Sequence, residues 1–202
     1  MSSHEAFSET VLKQVQTIAE HGLAATAGLY DLTGSRLVRF AVTITRNQHD
    51  AEDAVATAML KVVSDFEVLF QARNPWAFLL QMVRNDALLI LRRKKRSIIA
   101  SSKIWHCLSD LIKASPKVDD VENQESKLEI WKAIRQLPTE QAEVVVLKIW
   151  EEFTFHQIGQ TLCIPPATAA SRYRYGLAKL SDLLGSDLEF GKSIGKEVGY
   201  EV

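Results

Sequence analysis

Residues 154–180, TFHQIGQTLCIPPATAASRYRYGLAKL, have the pattern of two short helices joined by a tight turn. Thr154 can cap the free N–H groups of a first helix, and Ile158 and Leu162 follow at helical spacing as its buried stripe. Pro166 suits the first position of a second helix, because its missing N–H costs nothing there and its φ is already helical. The stretch therefore predicts a helix-turn-helix.

Gly159 lies in the middle of the first predicted helix, where glycine costs roughly 1 kcal/mol relative to alanine. A glycine kept at this cost indicates a close approach, so we expect a second helix to pack against the first at Gly159. The turn itself is predicted at Cys163, Ile164 and Pro165.

The second predicted helix has an apolar side and a polar side at about 100° per residue. Its apolar side is expected to be buried and comprises Ala169, Tyr173, Gly176, Leu177 and Leu180. Its polar side carries Thr168, Ser171, Arg172, Tyr175 and Lys179, and Arg174 lies beside this side; these six are the candidate DNA-binding residues. No Asp or Glu occurs between Glu152 and Asp182, so we expect this helix to approach phosphates without like-charge repulsion. Its charge suits the major groove, although ordinary solvated charges on an amphipathic helix are the alternative.

The composition narrows the class of protein. The 202 residues allow one domain or two small ones, and 47% apolar residues suffice for packed cores. The net charge of -1 argues against a uniformly basic DNA-binding surface. It favours local contacts with DNA, together with a large partner that contributes to binding. Cys107 and Cys163 show no metal-ligand or disulfide spacing, and the acids near His49 have no distant partner ligands. We therefore expect no metal and no cofactor.

The N-terminus has no basic segment followed by an apolar core, and no run approaches the ~18 apolar residues of a membrane span. We expect a soluble cytoplasmic protein without a membrane partner. No phosphate-binding loop, dinucleotide fingerprint, zinc-protease motif or nucleophile elbow occurs, so an enzyme with a small-molecule substrate is the least favoured class.

The first half of the chain repeats apolar residues at helical spacing, and Gly22, Gly28 and Gly34 are expected to divide it into short helices. Asp50 is expected to cap the helix that follows. The apolar stripe of that helix is predicted to be Val55, Met59, Val62, Val63 and Phe66.

A long helix is predicted to begin at Asn74-Pro75. It ends in the basic run Arg92, Arg93, Lys94, Lys95 and Arg96. This run complements the negative end of the helix dipole and can also bind phosphates. Trp76 is open to two interpretations, a core side chain or a ring on which an unpaired base stacks.

These patterns predict an all-α fold of two small helical domains joined by a flexible acidic linker. The first domain is expected at residues 1–96, the linker at residues 97–126 with one short helix near residues 104–112, and the helix-turn-helix domain at residues 127–184. Residues 185–202 form a tail without a regular pattern or an assigned role.

Two separated blocks carry a family resemblance. In the first, DAEDAV occupies residues 50–55 and is followed by Arg84-Asn85 and Arg92-Arg93. In the second, Leu137-Pro138, Val144 and Leu147 precede Leu162-Cys163-Ile164-Pro165, Thr168, Ser171 and Arg172. With these motifs, residues 29–96 and 128–182 resemble an extracytoplasmic-function (ECF) sigma factor of bacterial RNA polymerase, in the sigma-70 family.

The resemblance implies a factor that binds core RNA polymerase and directs promoter-specific initiation by recognising and melting DNA. The helix over residues 50–66 would dock on the clamp helices of the largest polymerase subunit through Asp50, Glu52, Asp53, Thr57 and Lys61. Residues 74–96 would engage the downstream promoter element through Asn74, Trp76, Arg84, Asn85, Arg92, Arg93, Lys94 and Lys95. The helix over residues 166–180 would read the upstream element, and an anti-sigma factor is a candidate partner.

Several positions depart from the family pattern. Ala56-Thr57 stand where Gln-Glu is usual, Leu89 replaces a common Asp, and Ala170 and Tyr175 replace common basic residues. Cys163 occupies the place of the usual turn glycine, so the turn must avoid a positive φ there or tolerate its cost. Two other functions stay open: a stand-alone helix-turn-helix regulator, and a sigma-like adaptor that binds polymerase or a DNA-targeting complex without opening promoters.

Overall fold

The protein is described by a computed structural model covering residues 3–100 and 124–184, and within these ranges its regular structure is helical, without strands. The helices are α1 (Ser3–His21), α2 (Thr26–Thr45), α3 (Gln48–Ser64), α4 (Phe66–Phe70), α5 (Pro75–Ala100), α6 (Gln124–Ile134), α7 (Thr139–Ile149), α8 (Phe155–Leu162) and α9 (Pro166–Leu184), with a 3₁₀ turn at Leu23–Ala25. The all-α prediction is confirmed for these ranges.

The chain divides into two compact units, one formed by residues 8–119 and the other by residues 1–7 and 120–202. The helix α5 continues through Ala100 and α6 begins at Gln124, so both ends of the predicted linker are helical. The short helix predicted near residues 104–112 and the tail at 185–202 lie outside the described residues. Within the described part of the chain, no helix combines the length and hydrophobicity needed to cross a membrane.

In the unit of residues 8–119, α2, α3 and α5 pack against one another in pairs. The apolar side chains of α3 that are buried in this core are small: Ala51, Ala54, Val55, Ala58 and Val62. Small residues let neighbouring helices approach closely, and the larger core residues Leu37, Phe40, Leu79 and Leu80 come from α2 and α5. The predicted stripe of α3 is correct at Val55 and Val62, but Val63 is 39% exposed and Phe66 belongs to α4.

Glycines end only one of the predicted helices in the first half of the chain. Gly22 has φ +77 just after α1, whereas Gly28 and Gly34 lie inside α2, so the expected breaks there were wrong. A Cβ on Gly28 would lie 2.5 Å from Gln14 Nε2, which donates to the Ala25 carbonyl at 3.1 Å. The Gln14 side chain therefore occupies the space that a Cβ on Gly28 would take.

The start of α3 differs from the prediction. Asn47, in an extended conformation, is the N-cap, and its Oδ1 accepts the Asp50 N–H at 3.0 Å. Asp50 thus lies inside the first turn and does not cap the helix. The predicted start of α5 is confirmed, because Asn74 Oδ1 accepts the Ala77 N–H at 3.1 Å.

The second unit contains α6 to α9. Residues Val144, Val145, Val146 and Leu147 of α7 are all buried, together with Ile158 and Leu162 of α8 and the apolar side of α9. The rings of Trp131 and Trp150 lie 5.0 Å apart between α6 and the end of α7. This core supports α8 and α9 and leaves the polar side of α9 at the surface.

Candidate nucleic-acid interface

The first helix of the predicted helix-turn-helix begins with a complete capping box. Thr154 Oγ1 accepts the Gln157 N–H at 3.2 Å, and Gln157 Oε1 accepts the Thr154 N–H at 2.8 Å. Two backbone donors at the helix start are thereby satisfied reciprocally. The capping role predicted for Thr154 is confirmed.

The turn between α8 and α9 requires close backbone contact. A Cβ on Gly159 would lie 2.7 Å from the Ile164 carbonyl oxygen and 3.3 Å from the Pro166 nitrogen. The close approach expected at Gly159 therefore exists, but its partner is the turn and the first residue of α9. Cys163 takes a left-handed conformation with φ 56 and ψ 47, so the turn tolerates the steric cost of a side chain there.

The two sides of α9 follow the predicted arrangement. The five residues expected to be buried, Ala169, Tyr173, Gly176, Leu177 and Leu180, are buried. On the polar side, Arg174, Tyr175 and Lys179 are exposed, while Thr168 and Ser171 are half-buried. The Arg174 guanidinium lies 5.6 Å from the centroid of the Tyr175 ring, and this ring is 60% exposed. A cation and an aromatic face are thus presented together on the outer side of the helix.

Within the described ranges, Arg172 is the basic residue of α9 that pairs with an acid from another helix. Its Nη2 lies 2.8 Å from Oε2 of Glu140, in the first turn of α7. The expected approach of this helix to phosphates without like-charge repulsion therefore does not take this carboxylate into account. The folding of α7 against α9 supplies a carboxylate that the sequence window did not contain.

The candidate residues on α5 occupy three different environments. Trp76 is fully buried, so in this conformation its ring belongs to the core and cannot stack on a base. Asn74 caps the helix through its Oδ1. Asn85 is exposed, and Arg84 is half-buried and has an interaction within the protein.

The basic side chains at the end of α5 are exposed, but they differ in their contacts. Arg92, Arg93, Lys95 and Arg96 are exposed side chains. Lys94 instead donates to both carboxylate oxygens of Asp50 at 2.6 Å, and the Asp50 side chain is only 7% exposed. This pair gives Asp50 and Lys94 structural roles in joining α3 to α5.

A second ion pair links the same two helices. Lys61 Nζ contacts Oδ1 of Asp86, whose side chain is 4% exposed and whose Oδ2 accepts no hydrogen bond from the described residues. Of the candidate polymerase-binding residues, Glu52, Asp53 and Thr57 are exposed on α3. Glu52 accepts from Gln48 Nε2 at 2.7 Å, a local contact along the same helix.

Each of the two units matches a region of a known protein family. Residues 29–97 match the model for Sigma-70 region 2, and residues 127–180 match that for Sigma-70, region 4. The chain belongs to the sigma-70 family. Its two matched regions contain the candidate surfaces of α3 and α5 in the first unit and of α8 and α9 in the second.

This sigma-70 family member is 26% identical over 184 residues to the ECF RNA polymerase sigma factor SigK of Mycobacterium sp. strain KMS, covering 88% of this chain and 90% of the relative. It has the same identity and coverage with the RNA polymerase sigma factor SigK of strain MCS. The prediction of an ECF-type sigma factor is confirmed.

Solved structures of sigma factors share its fold. The sigma factor RpoE from Bartonella quintana, solved with the anti-sigma factor NepR, superposes with a TM-score of 0.68 at 20% identity, covering 79% of this chain and 96% of RpoE. CnrH, solved with the cytosolic domain of CnrY, gives a TM-score of 0.56 at 16% identity, covering 88% of this chain and 98% of CnrH.

Two acids of this sigma factor were missed by the sequence patterns. Asp86 lies on the α5 side that faces α3, and Glu140 lies at the start of α7, so each is separated in sequence from its partner. Helical periodicity identifies the side of a helix on which a residue lies, but it does not identify a partner on another helix. The departures at Ala56 and Leu89 are exposed positions, and Leu89 is 40% exposed.

Proposed function

We propose that this sigma factor binds core RNA polymerase and directs it to specific promoters, with α9 reading the upstream element and α5 engaging the downstream element. The observation that carries this proposal is the presence of Sigma-70 regions 2 and 4 in one chain, each within its own compact unit. Initiation needs a factor that contacts two separated DNA elements and the polymerase, and both matched regions retain polar or basic helix surfaces.

The polar side of α9 supports the assignment of upstream reading. Arg174, Tyr175 and Lys179 are exposed, and Ser171 lies between them and the start of the helix. Basic and hydroxyl side chains on one side of a helix can hydrogen-bond base edges and phosphates in a major groove. We assign Thr168 and Arg172 to the same surface.

The downstream contact is assigned to the exposed part of α5. Asn85 has both a donor and an acceptor for an unpaired base, and Arg92, Arg93 and Lys95 offer charge to the phosphates of a displaced strand. We leave Trp76 and Lys94 out of this surface, because one is buried and the other is paired with Asp50. Arg84 stays a candidate as a half-buried side chain at its border.

The polymerase contact is assigned to the exposed side of α3. Glu52, Asp53 and Thr57 provide polar groups there, and the neighbouring Leu60 is 67% exposed. A large exposed apolar side chain with polar groups around it fits the apolar core and polar rim of a protein interface. Lys61 borders this surface while paired with Asp86, whereas buried Asp50 cannot contribute directly.

The proposed factor performs no covalent chemistry and acts in the cytoplasm, where it meets the polymerase. RpoE and CnrH were each solved with a second protein, which for RpoE is the anti-sigma factor NepR. On this basis we propose that an anti-sigma factor also binds the present chain and holds it inactive by covering a polymerase-binding surface.

Run-off transcription tests this function. Purified core polymerase is incubated with a pool of genomic fragments from the source organism, with and without the chain, and the transcripts are sequenced. Discrete transcripts that require the chain support promoter-specific initiation and yield both promoter elements. Binding to core without new transcripts would favour the adaptor, and failure to bind core would favour a stand-alone regulator.

An Arg172→Ala variant then tests upstream reading on the promoters recovered. We expect a loss of about 1–3 kcal/mol in promoter binding by the holoenzyme, and a smaller loss on duplex of shuffled sequence, if the guanidinium contacts a base. An equal loss on both duplexes would assign Arg172 to phosphate contact only.

A further inference from the structure

The ion pair between Arg172 and Glu140 occurs on the helix assigned to DNA reading. The Arg172 side chain is 24% exposed, so it is partly covered, whereas Glu140 is 68% exposed. Arg174 on the same helix is exposed and lies against Tyr175 instead of an acid. Among the described residues, one arginine of this surface is therefore held by another helix, and Arg174 is not.

The packing of α9 on α7 explains how the two charges meet. Gly176 permits the approach, because a Cβ there would lie 2.8 Å from Val145 Cγ2 and 3.5 Å from Gln141 Cβ. Arg172 is one helical turn before Gly176, and Glu140 directly precedes Gln141. The Glu140 carboxylate is also favoured at the positive start of α7, independently of Arg172. The carboxylate thus lies next to the position where the guanidinium emerges.

This pairing has different consequences for random and specific DNA. The Glu140 carboxylate already neutralises the Arg172 guanidinium, so a phosphate of random DNA attracts this guanidinium less. The exposed carboxylate also repels phosphates directly. A guanidinium has five N–H donors, so a pair to one carboxylate leaves donors in a fixed orientation. A base edge that matches this orientation can still be bound, without first ordering the side chain.

We propose that Glu140 is a positioning residue that raises the sequence selectivity of α9, by holding Arg172 in one orientation and by suppressing its contacts with the phosphates of random DNA. This inference rests on the proposed function, because it requires α9 to read DNA. Because a partly exposed ion pair contributes at most about fivefold to an equilibrium constant, we expect an effect of this size on binding.

The test compares holoenzymes made with the wild-type full-length chain and with Glu140→Gln, which removes the charge and keeps the shape. The probes are a promoter duplex recovered by run-off transcription and a duplex of the same composition in shuffled order. We expect Glu140→Gln to bind the shuffled duplex about two- to fivefold more tightly. For this variant, the log–log slope of affinity for the shuffled duplex against salt concentration should be steeper by about 0.9, because one more phosphate is neutralised. The promoter affinity should not rise by this factor, so the ratio of the two affinities falls.

Two further variants separate this mechanism from a general change in charge. Glu129→Gln removes the same charge from an exposed site on α6 and should leave the affinity ratio unchanged. In an Arg172→Ala background, Glu140→Gln should no longer change the ratio. An equal gain on both duplexes, an equal effect of Glu129→Gln, an effect that persists without Arg172, or no effect of Glu140→Gln would each overturn the inference. If the wild-type holoenzyme itself fails to prefer the promoter duplex, the proposed function fails, and this inference fails with it.

Discussion

Asp50 and Lys94 join the start of α3 to the end of α5, since both carboxylate oxygens of Asp50 accept from Lys94 Nζ at 2.6 Å. The Asp50 side chain is 7% exposed, whereas that of Lys94 is 54% exposed, so the acid is the buried partner. Lys61 and Asp86 repeat this relationship between the same helices. The surfaces assigned to polymerase and to DNA in the first unit therefore share a framework of two buried acids with lysine partners.

We predict that Lys94→Ala destabilises the protein by about 1–3 kcal/mol, because it leaves the buried Asp50 carboxylate without its charged partner. Lys95→Ala is the matched control, since Lys95 is the next residue, is exposed, and should change stability by less than about 0.5 kcal/mol. Urea unfolding followed by circular dichroism measures both. Equal stability of the two variants would mean that water compensates Asp50 as well as Lys94 does.

The basic end of α5 should contribute to DNA binding through Arg92, Arg93 and Lys95 more than through Lys94. Replacing those three residues together by alanine should lower the log–log salt slope of holoenzyme binding to promoter DNA by about 0.7–0.9 for each phosphate that is no longer neutralised. Lys94→Ala should lower the slope by less than Lys95→Ala does, because Asp50 already neutralises Lys94. The slope is obtained from affinities across a salt series. A slope unaffected by the triple change would remove this run from the DNA surface.

The helix-turn-helix was predictable because its signals are local. Thr154 and Gln157 satisfy each other within one turn, and Pro166 begins α9 as its fixed φ requires. The buried side of α9 followed from spacing alone, since a helix of known start has a fixed rotation per residue. The same rotation assigns Arg172 to a side of α9, but it could not place Glu140 beside that arginine.

The predictions that were wrong or left open concern features that are decided by tertiary packing. Gly28 and Gly34 were expected to interrupt α2, but a glycine costs a helix only roughly 1 kcal/mol, which tertiary packing can offset. The sequence allows both a core role and a stacking role for Trp76, and only its burial decides for the core. The preference of acids for helix starts predicts a cap at Asp50, whereas its partner is Lys94, 44 residues away.

The left-handed conformation of Cys163 leads to a stability prediction for the turn. Its φ of 56 is unfavourable for a residue with a Cβ but not for glycine. Cys163→Gly should therefore stabilise the second unit by up to about 1 kcal/mol, after the larger conformational entropy of glycine in the unfolded chain is subtracted. Cys163→Ala is the control, since it removes the thiol and keeps the strain. Thermal unfolding of the full chain would contradict this explanation if both variants shifted the midpoint equally.

The contact between Gly176 and Val145 should control both the stability of the second unit and the position of α9. In Gly176→Ala, the new Cβ would lie 2.8 Å from Val145 Cγ2, so α9 must move or the valine must rotate. Overpacking of this kind costs about 1–3 kcal/mol, which exceeds the roughly 1 kcal/mol that alanine gains over glycine in a helix. The double variant with Val145→Ala removes the clashing methyl group and should recover part of the stability that Gly176→Ala removes. Urea unfolding of the wild type, both single variants and the double variant measures this coupling. Strict additivity of the two changes would show that α9 does not rest on Val145 in solution.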